Sequence, residues 1–364
     1  MKSGLVLGGL SALLFEIPQP AAAETEMMSD PEPAQYLRAC DVMGAGFVQL
    51  PQSDVCLKIG GYVSYEISAG ADVYTGERKK SWGQHTKAKL NADARSETEL
   101  GSLNTFFEIE QNFTDGTNEG ASFSAATIEL GGLLIGASDS QFDVWLGSAG
   151  NVSSDDVIPY AGGMTNQVSY TARLGDGLSA MFGAEQGASA DKNSEEGEVE
   201  DEEEGEGPET PDMQDHLIDG YMPHLVGGLK LERHWGAIAT VLGYDSVFQE
   251  IAAKVRMDIR LGGPFTAFVM GGYQSDPEKP NYYGAWDGTY AAWSGLSASL
   301  SPKLTLNSQI AYADSGTYAL AFNADYEVVP GLIVTPELDY TSFGSRSATS
   351  GDALAGILSI QRDF

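Results

Sequence analysis

Long segments in which apolar and polar residues alternate limit most strongly what this chain can fold into. From Leu57 to Ile67 the odd positions are mostly apolar, whereas the even positions include Lys58, Ser64 and Glu66, and the same split recurs in segments 87–95, 251–261 and 318–327. A period of two is typical of strands whose two faces meet different surroundings. Several of these segments reach the roughly 9–11 residues with which a tilted strand crosses a bilayer, against roughly 5–6 residues for most strands in soluble sheets. The alternation therefore predicts membrane-spanning strands.

The breaks between these segments come in two lengths. Short breaks such as Arg233-His234 and Pro330-Gly331 interleave with longer ones such as 138–163 and 187–221. Outer-membrane barrels have this asymmetry, with short periplasmic turns and longer outer loops. Counting the segments gives about sixteen strands, an even number, of which the last ends on Phe364. We predict an all-β fold, a transmembrane antiparallel β-barrel of about sixteen strands.

The N-terminus has the order of an export signal. Lys2 precedes an apolar stretch from Leu5 to Phe15, and the small residues 21–23 are suited to cleavage before Glu24. We predict a signal peptide over 1–23, a short periplasmic segment over 24–56 and the barrel over 57–364. Glu16 and the single basic residue are atypical of such a signal, so an ordinary cytosolic N-terminus is the alternative.

The chain has two cysteines, Cys40 and Cys56. An exported chain meets an oxidising compartment in which the two can pair, and a disulfide closing so short a loop would add about 3 kcal/mol of stability. Metal ligation is the weaker alternative, because no second cysteine pair or nearby histidine completes a site. We expect no metal and no cofactor.

The formal net charge of −32 argues against nucleic acid as a partner, because phosphates demand a basic surface. Much of the excess lies between Glu195 and Glu206, where acidic residues are interrupted by no basic one. Such a block repels itself and stays solvated, so we interpret 187–221 as an acidic extracellular loop. Binding of divalent cations, or of Ca²⁺ held by lipopolysaccharide, is an alternative, but the run lacks the ordered ligand spacing of a calcium loop.

Two blocks of the sequence resemble alphaproteobacterial outer-membrane general porins of the porin family 2 type. Residues 31–66, PEPAQYLRACDVMGAGFVQLPQSDVCLKIGGYVSYE, closely resemble the start of the mature family members. Residues 136–185, GASDSQFDVWLGSAGNVSSDDVIPYAGGMTNQVSYTARLGDGLSAMFGAE, resemble the third loop of the family and the hairpin after it, and the final QRDF is similar too. The resemblance implies a trimeric sixteen-stranded porin in outer-membrane lipid and lipopolysaccharide, with the third loop, 139–163, folded into the lumen as a constriction.

A channel of this kind selects by width and electric field, so its candidate site is a set of charges. We expect the constriction loop to place carboxylates opposite a basic wall on the polar faces of the early strands. The acidic residues are Asp139, Asp143, Asp155 and Asp156, and the basic residues are Lys58, Lys87, Lys89 and Arg95. The family usually has arginine where this chain has Lys58, Ser64 and Ala137, so its wall is less basic. Because acidic rings favour cations, we expect diffusion of small hydrophilic solutes and ions with a cation preference that weakens as salt rises.

Three other functions remain open. An outer-membrane hydrolase needs a histidine held by a carboxylate and reaching a serine, and none of the four histidines, His85, His216, His224 and His234, lies in a recognisable nucleophile motif. We therefore expect no enzymatic activity. An adhesin or anchor with a plugged barrel is permitted by the long outer loops, but we expect no separate passenger domain, because the region from Glu24 to Cys40 is too short for one. A sugar-specific channel would use an aromatic track, for which Tyr62 and Phe106 are too few.

Overall fold

The structure is a computed structural model that describes residues 38–160, 162–188, 216–347 and 349–364. The predicted signal peptide, most of the predicted periplasmic segment and the acidic run 195–206 lie outside the described residues. Within the described parts, no helix combines the length and the hydropathy needed to cross a membrane.

Sixteen antiparallel strands form one closed barrel, preceded by the two-residue strands β1 (Arg38–Ala39) and β2 (Val48–Gln49). Each barrel strand pairs with the next along the chain, and the last pairs with the first through partners such as Asp363 and Tyr62. The barrel strands are β3 (Cys56–Gly70), β4 (Gly83–Thr98), β5 (Gly101–Thr114), β6 (Thr117–Leu130), β7 (Leu133–Asp139), β8 (Met164–Gly175), β9 (Leu178–Glu185), β10 (His224–Arg233), β11 (Gly236–Asp245), β12 (Glu250–Gly262), β13 (Phe265–Gln274), β14 (Tyr290–Ser301), β15 (Leu304–Ala313), β16 (Tyr318–Val329), β17 (Leu332–Phe343) and β18 (Gly351–Asp363). The predicted sixteen-stranded barrel is confirmed.

Apolar side chains point away from the barrel axis and polar ones point inward. On β17 Leu338 is 63% exposed whereas the next residue, Asp339, is 2% exposed, and on β18 Leu354 is 63% exposed beside a fully buried Ala353. An exposed apolar face of this kind has hydrocarbon rather than water as its favourable surroundings. The alternation seen in the sequence is therefore the alternation between lipid and lumen.

The two ends of the barrel differ in their connections. Seven hairpins, from β4–β5 to β16–β17, leave only two residues between their strands, and we call this the short-turn end. The opposite end carries the segments 71–82, 140–163 and 275–289, although 115–116, 246–249 and 314–317 are short there as well. The predicted short breaks at Arg233-His234 and Pro330-Gly331 both fall at the short-turn end.

A disulfide joins Cys40 to Cys56 and ties the segment before the barrel to the start of β3. Both cysteines are buried and pack with Phe47, over whose ring the guanidinium of Arg95 lies at 4.7 Å from the centroid. The strand β2 continues this attachment by pairing with the first residues of β3. The expected disulfide is confirmed.

The largest buried side chains lie inside the barrel. Trp286, Trp293, Tyr283 and Phe142 are at most 2% exposed and form one cluster against the inward faces of β9 to β16. These four aromatic side chains therefore hold loops against the lumen side of the strands. Trp82 is different, since it remains 66% exposed.

Candidate functional site

The third loop at the long-loop end, residues 140–163, runs inside the barrel, and we call it the inner loop. It begins with the short helix α1 (Gln141–Val144), which is capped by Ser140: the N–H of Phe142 donates to Ser140 Oγ at 3.1 Å. A serine at this position satisfies an N–H that has no partner within the helix. The expected insertion of the third loop into the lumen is confirmed.

Glu185 at the end of β9 anchors the start of the inner loop. This carboxylate is 1% exposed and accepts hydrogen bonds from Ser140 Oγ at 2.7 Å, from the N–H of Gln141 at 2.7 Å and from the Tyr283 hydroxyl at 3.0 Å. A buried carboxylate is tolerated when such donors satisfy it. Each charge-assisted bond contributes about 1.5–3 kcal/mol, so this residue fixes where the loop leaves the wall.

Glu337 on β17 anchors the middle of the inner loop. Its Oε1 accepts the N–H groups of Ser153 at 2.8 Å and Ser154 at 3.1 Å, and the Asn323 amide donates to its Oε2 at 2.8 Å. The same Asn323 amide donates to the carbonyl of Asn151 at 2.9 Å. The inner loop therefore spans from β9 to β17, and we call the lumen side of these strands the rear wall.

Lys254 on β12 holds the inner loop between these two anchors. Its side chain is fully buried, and its Nζ donates to the Tyr160 carbonyl and lies 4.0 Å from Asp143 Oδ1. The rings of Phe142 and Tyr160 lie 4.5 Å and 5.4 Å from this ammonium. Aromatic faces and a carboxylate replace part of the hydration that burial removes.

Glycines on the rear wall admit the aromatic side chains. A Cβ at Gly243 would lie 2.4 Å from the Tyr283 ring, and one at Gly272 would lie 2.9 Å from the Trp286 ring. Both positions lie inside strands, where glycine otherwise weakens a sheet. The stability that these glycines remove from the strands is offset because each aromatic ring packs directly against the backbone.

The lumen side of β3 to β6, which we call the front wall, carries the predicted basic residues. Lys89 Nζ lies 2.9 Å from Glu108 and 3.7 Å from Glu110, Lys87 Nζ lies 3.8 Å from Glu110, and Arg95 is bonded to Asp93 at 2.5 Å. Lys58 has no carboxylate within 4.0 Å among the described residues. Most of the basic charge of this wall is therefore neutralised within the wall. No hydrogen bond joins the described inner-loop residues to these four strands.

The predicted acidic residues are dispersed along the inner loop. Asp143 faces Lys254 on the rear wall, Asp155 accepts a hydrogen bond from the Tyr160 hydroxyl at 2.7 Å, and Asp156 accepts one from the Tyr74 hydroxyl at 2.7 Å. Asp139 is exposed at the end of β7, just before the loop begins. None of the four is paired with the predicted basic residues of the front wall within 4.0 Å. That these eight residues line the narrowest part of the channel stays a prediction.

Burial changes the titration of two of these carboxyls. Burial raises the pKa of Asp143 to about 6, although the positive charge of Lys254 acts in the opposite direction. Burial also raises the pKa of Asp155 to about 6, against the hydrogen bond from Tyr160, which lowers it. A carboxylate withdrawn from water is less stable than the neutral acid, which is why both shifts are upward. The inner loop therefore changes charge near pH 6.

The closed barrel, its apolar outer face, its polar lumen and the loop held inside it define an outer-membrane channel of the porin class. The family described as "Porin subfamily" matches residues 26–359, and the chain belongs to this family. Porin Omp2b of Brucella canis is 38% identical over 373 residues, covering 99% of both chains, and Porin Omp2b of Brucella melitensis biotype 1 is equally similar. The predicted family and the outer-membrane location as a multi-pass barrel are thereby confirmed.

Solved structures show the same fold at low sequence identity. The outer-membrane channel DcaP of Acinetobacter baumannii is 16% identical, with a TM-score of 0.62 over 86% of this chain and 98% of that one. An anion-selective porin from Comamonas acidovorans is 12% identical, with a TM-score of 0.56 over 85% of this chain and 100% of that one. At these identities the likeness concerns the barrel fold alone.

Proposed function

We propose that this porin conducts small hydrophilic solutes and ions by passive diffusion and prefers cations. The supporting observation is the distribution of charge along the last six strands. Strands β13 to β18 contain a single basic residue, Arg362, which is on the outward face, whereas inward positions hold Asp325 and Glu337. On the front wall most cations already have carboxylate partners. The uncompensated charge facing the lumen is therefore mainly negative, which attracts cations and repels anions.

The test is the reversal potential of the purified protein in a planar bilayer under a KCl gradient. We expect a potential of the sign set by K⁺, decreasing as the mean salt concentration rises, because the screening length falls to about 10 Å at 0.1 M. A potential of the sign set by Cl⁻ would overturn the proposal.

We propose further that three copies assemble in outer-membrane lipid and lipopolysaccharide. The outward face of the barrel is continuous and apolar, with Ile59, Phe123 and Ile128 among its exposed side chains, so neighbouring copies and lipid can both cover it. Current recordings test the number of channels, since a trimer closes in three equal steps. Steps that occur singly and independently at all protein densities would contradict it.

We propose no catalytic role. His216 and His224 both approach Asp245, at 3.3 and 3.4 Å, which is one half of a hydrolytic arrangement. The hydroxyl of Ser246, the residue after Asp245, donates to the carbonyl of Met222, and it is the backbone N–H of Ser246 that donates to His224. These groups tie the chain together near the end of β11. Ester or peptide hydrolysis by the purified protein, abolished by Asp245→Asn, would contradict this.

We also propose the division of the chain that the sequence predicts. It places a signal peptide at 1–23, a periplasmic segment at 24–56 and an acidic extracellular loop at 187–221. N-terminal sequencing of the mature protein checks the first boundary, and cleavage by an added protease on intact cells checks the side on which the acidic loop lies.

A further inference from the structure

A cavity of about 500 Å³ lies between the inner loop and the rear wall, and we call it the rear chamber. Inner-loop residues between 146 and 151 cover it on one side, and strands β10 to β15 form the other. It extends toward the short-turn end, because Arg233 and Gly236, which flank the β10–β11 turn, line it. No predicted constriction residue lines this chamber.

The rear chamber is basic in a chain that is strongly acidic overall. Three cationic side chains on the inward strand faces line it, Lys230, Arg256 and Arg260, against the carboxylates Glu232 and Asp258. Arg233 borders the chamber at the β10–β11 turn, but its side chain is on the outward face of β10 and donates to the carbonyl of Glu232 at 3.3 Å. Arg256 is already committed, because it is bonded to Asp258 at 2.8 Å and donates to the carbonyl of Ser148 at 2.5 Å. Among the described residues, no carboxylate lies within 4.0 Å of Lys230 or Arg260, although Arg260 donates to the carbonyl of His234 at 3.1 Å. The charge of these two cations exceeds that of Glu232 by one.

Lys230 is the most constrained of these cations. It is only partly exposed, and its ammonium lies 4.8 Å from the centre of the Trp145 ring, on the inner-loop side of the chamber. The ring stabilises the cation without neutralising it. An ammonium held in this way inside a low-dielectric wall attracts an anion more strongly than a lysine in free solvent does.

The front wall differs from the rear chamber in how its cations are paired. Lys87, Lys89 and Arg95 each have a carboxylate partner on their own or the neighbouring strand. In the chamber the carboxylates are too few for the cations that face it. An anionic solute would compensate the excess positive charge of the chamber.

From this geometry we propose that the rear chamber is a binding subsite for small anionic solutes, entered from the lumen on the short-turn side of the inner loop. Lys230 and Arg260 supply the charge, and Arg256, which is paired with Asp258, lies on the same strand as Arg260. The proposal concerns one site and does not depend on the net ion selectivity of the channel.

Single-channel recording in KCl tests the proposal, with potassium sulfate replacing KCl at constant ionic strength in one compartment and then in the other. Sulfate is the probe because it remains dianionic throughout the neutral range. We expect a saturable reduction of the current, with a lower half-blocking concentration from the compartment facing the short-turn end. The substitution Lys230→Gln should raise that concentration by about tenfold, the loss of one charge-assisted contact.

Two further variants make the result decisive. Lys303→Gln removes a cation from the β14–β15 turn at the same end, outside the chamber, and should leave the half-blocking concentration unchanged. Asp258→Asn frees Arg256 and should lower it, which also keeps the test valid if Lys230→Gln fails to fold. Block that is linear in sulfate and equal from both sides, or a half-blocking concentration that neither Lys230→Gln nor Asp258→Asn changes, would overturn the proposal. The KCl reversal potential without sulfate is measured separately, so a failure of cation preference is distinguishable from a failure of this site.

Discussion

On the front wall, Lys89 pairs with Glu108 and Glu110 of the adjacent strand, and both partners remain partly exposed to the lumen. On the rear wall, Lys254 is fully buried beneath the inner loop and faces a carboxylate that belongs to the loop itself. Front-wall pairs therefore tune the charge of an open surface, whereas rear-wall pairs hold one element against another. The same pairing of residue types contributes to permeation in one place and to the shape of the channel in the other.

The comparison predicts that a rear-wall cation has the largest effect on stability. Lys254→Met removes the bond to the Tyr160 carbonyl and leaves Asp143 without its partner, which should destabilise the docked loop by about 3–5 kcal/mol. Thermal unfolding of the detergent-solubilised protein and open-channel current noise measure the effect. The double variant Lys254→Met/Asp143→Asn should recover much of the loss, because no unpaired charge remains. Identical behaviour of the single and double variants would show that the pair does not hold the loop.

A smaller effect is expected at the middle anchor. Glu337→Gln keeps the side-chain volume but weakens the bonds from Ser153 and Ser154, at a cost of about 1–3 kcal/mol. Open-channel noise should increase because the loop detaches more often. Glu327→Gln is the matched control, since Glu327 accepts the N–H of Gly331 in a hairpin turn and has no hydrogen bond to the described inner-loop residues. Equal noise in the two variants would argue against the anchoring role.

The charge of the inner loop should respond to pH. Because the pKa values of Asp143 and Asp155 are raised to about 6, both carboxyls are ionised at pH 7 and mostly neutral at pH 5. Ordinary exposed carboxyls, with pKa values of about 4, remain charged over that range. The preference for cations, measured by reversal potential, should therefore fall as pH is lowered from 7 to 5. Asp143→Asn/Asp155→Asn should remove most of this dependence, and an unchanged pH profile in the double variant would refute the assignment.

The smallest effect is expected on the front wall. Lys89→Gln exposes the charges of Glu108 and Glu110 to the lumen, so cation preference should rise, whereas stability should change by only about 0.2–1 kcal/mol. Reversal potential and thermal unfolding measured on the same preparation separate the two consequences. If Lys89→Gln destabilised the protein as much as Lys254→Met, the front-wall pairs would be as important for stability as the rear-wall pairs, contrary to this comparison.

The sequence predicts the barrel well because its determinants are local. The alternation around Leu57 to Ile67 assigns each side chain to lipid or lumen without knowledge of any partner strand. The docking of the inner loop is different, because Ser153 and Glu337 are separated by 184 positions and no local pattern links them. Glycines within strands, such as Gly243 and Gly272, are the one signal that marks where the aromatic residues approach. The strand residues that contact the inner loop are identified only once the closed barrel is known, because the contacts join positions that are far apart in the sequence.

The pairing of β18 with β3 has a consequence for biogenesis. Until Asp363 lies beside Tyr62, two strand edges carry N–H and C=O groups without partners, and hydrocarbon offers none. A chain that lacks its last strand therefore has no stable place in the bilayer, however well its other hairpins form. Stable insertion of this protein therefore requires that β18 and β3 pair.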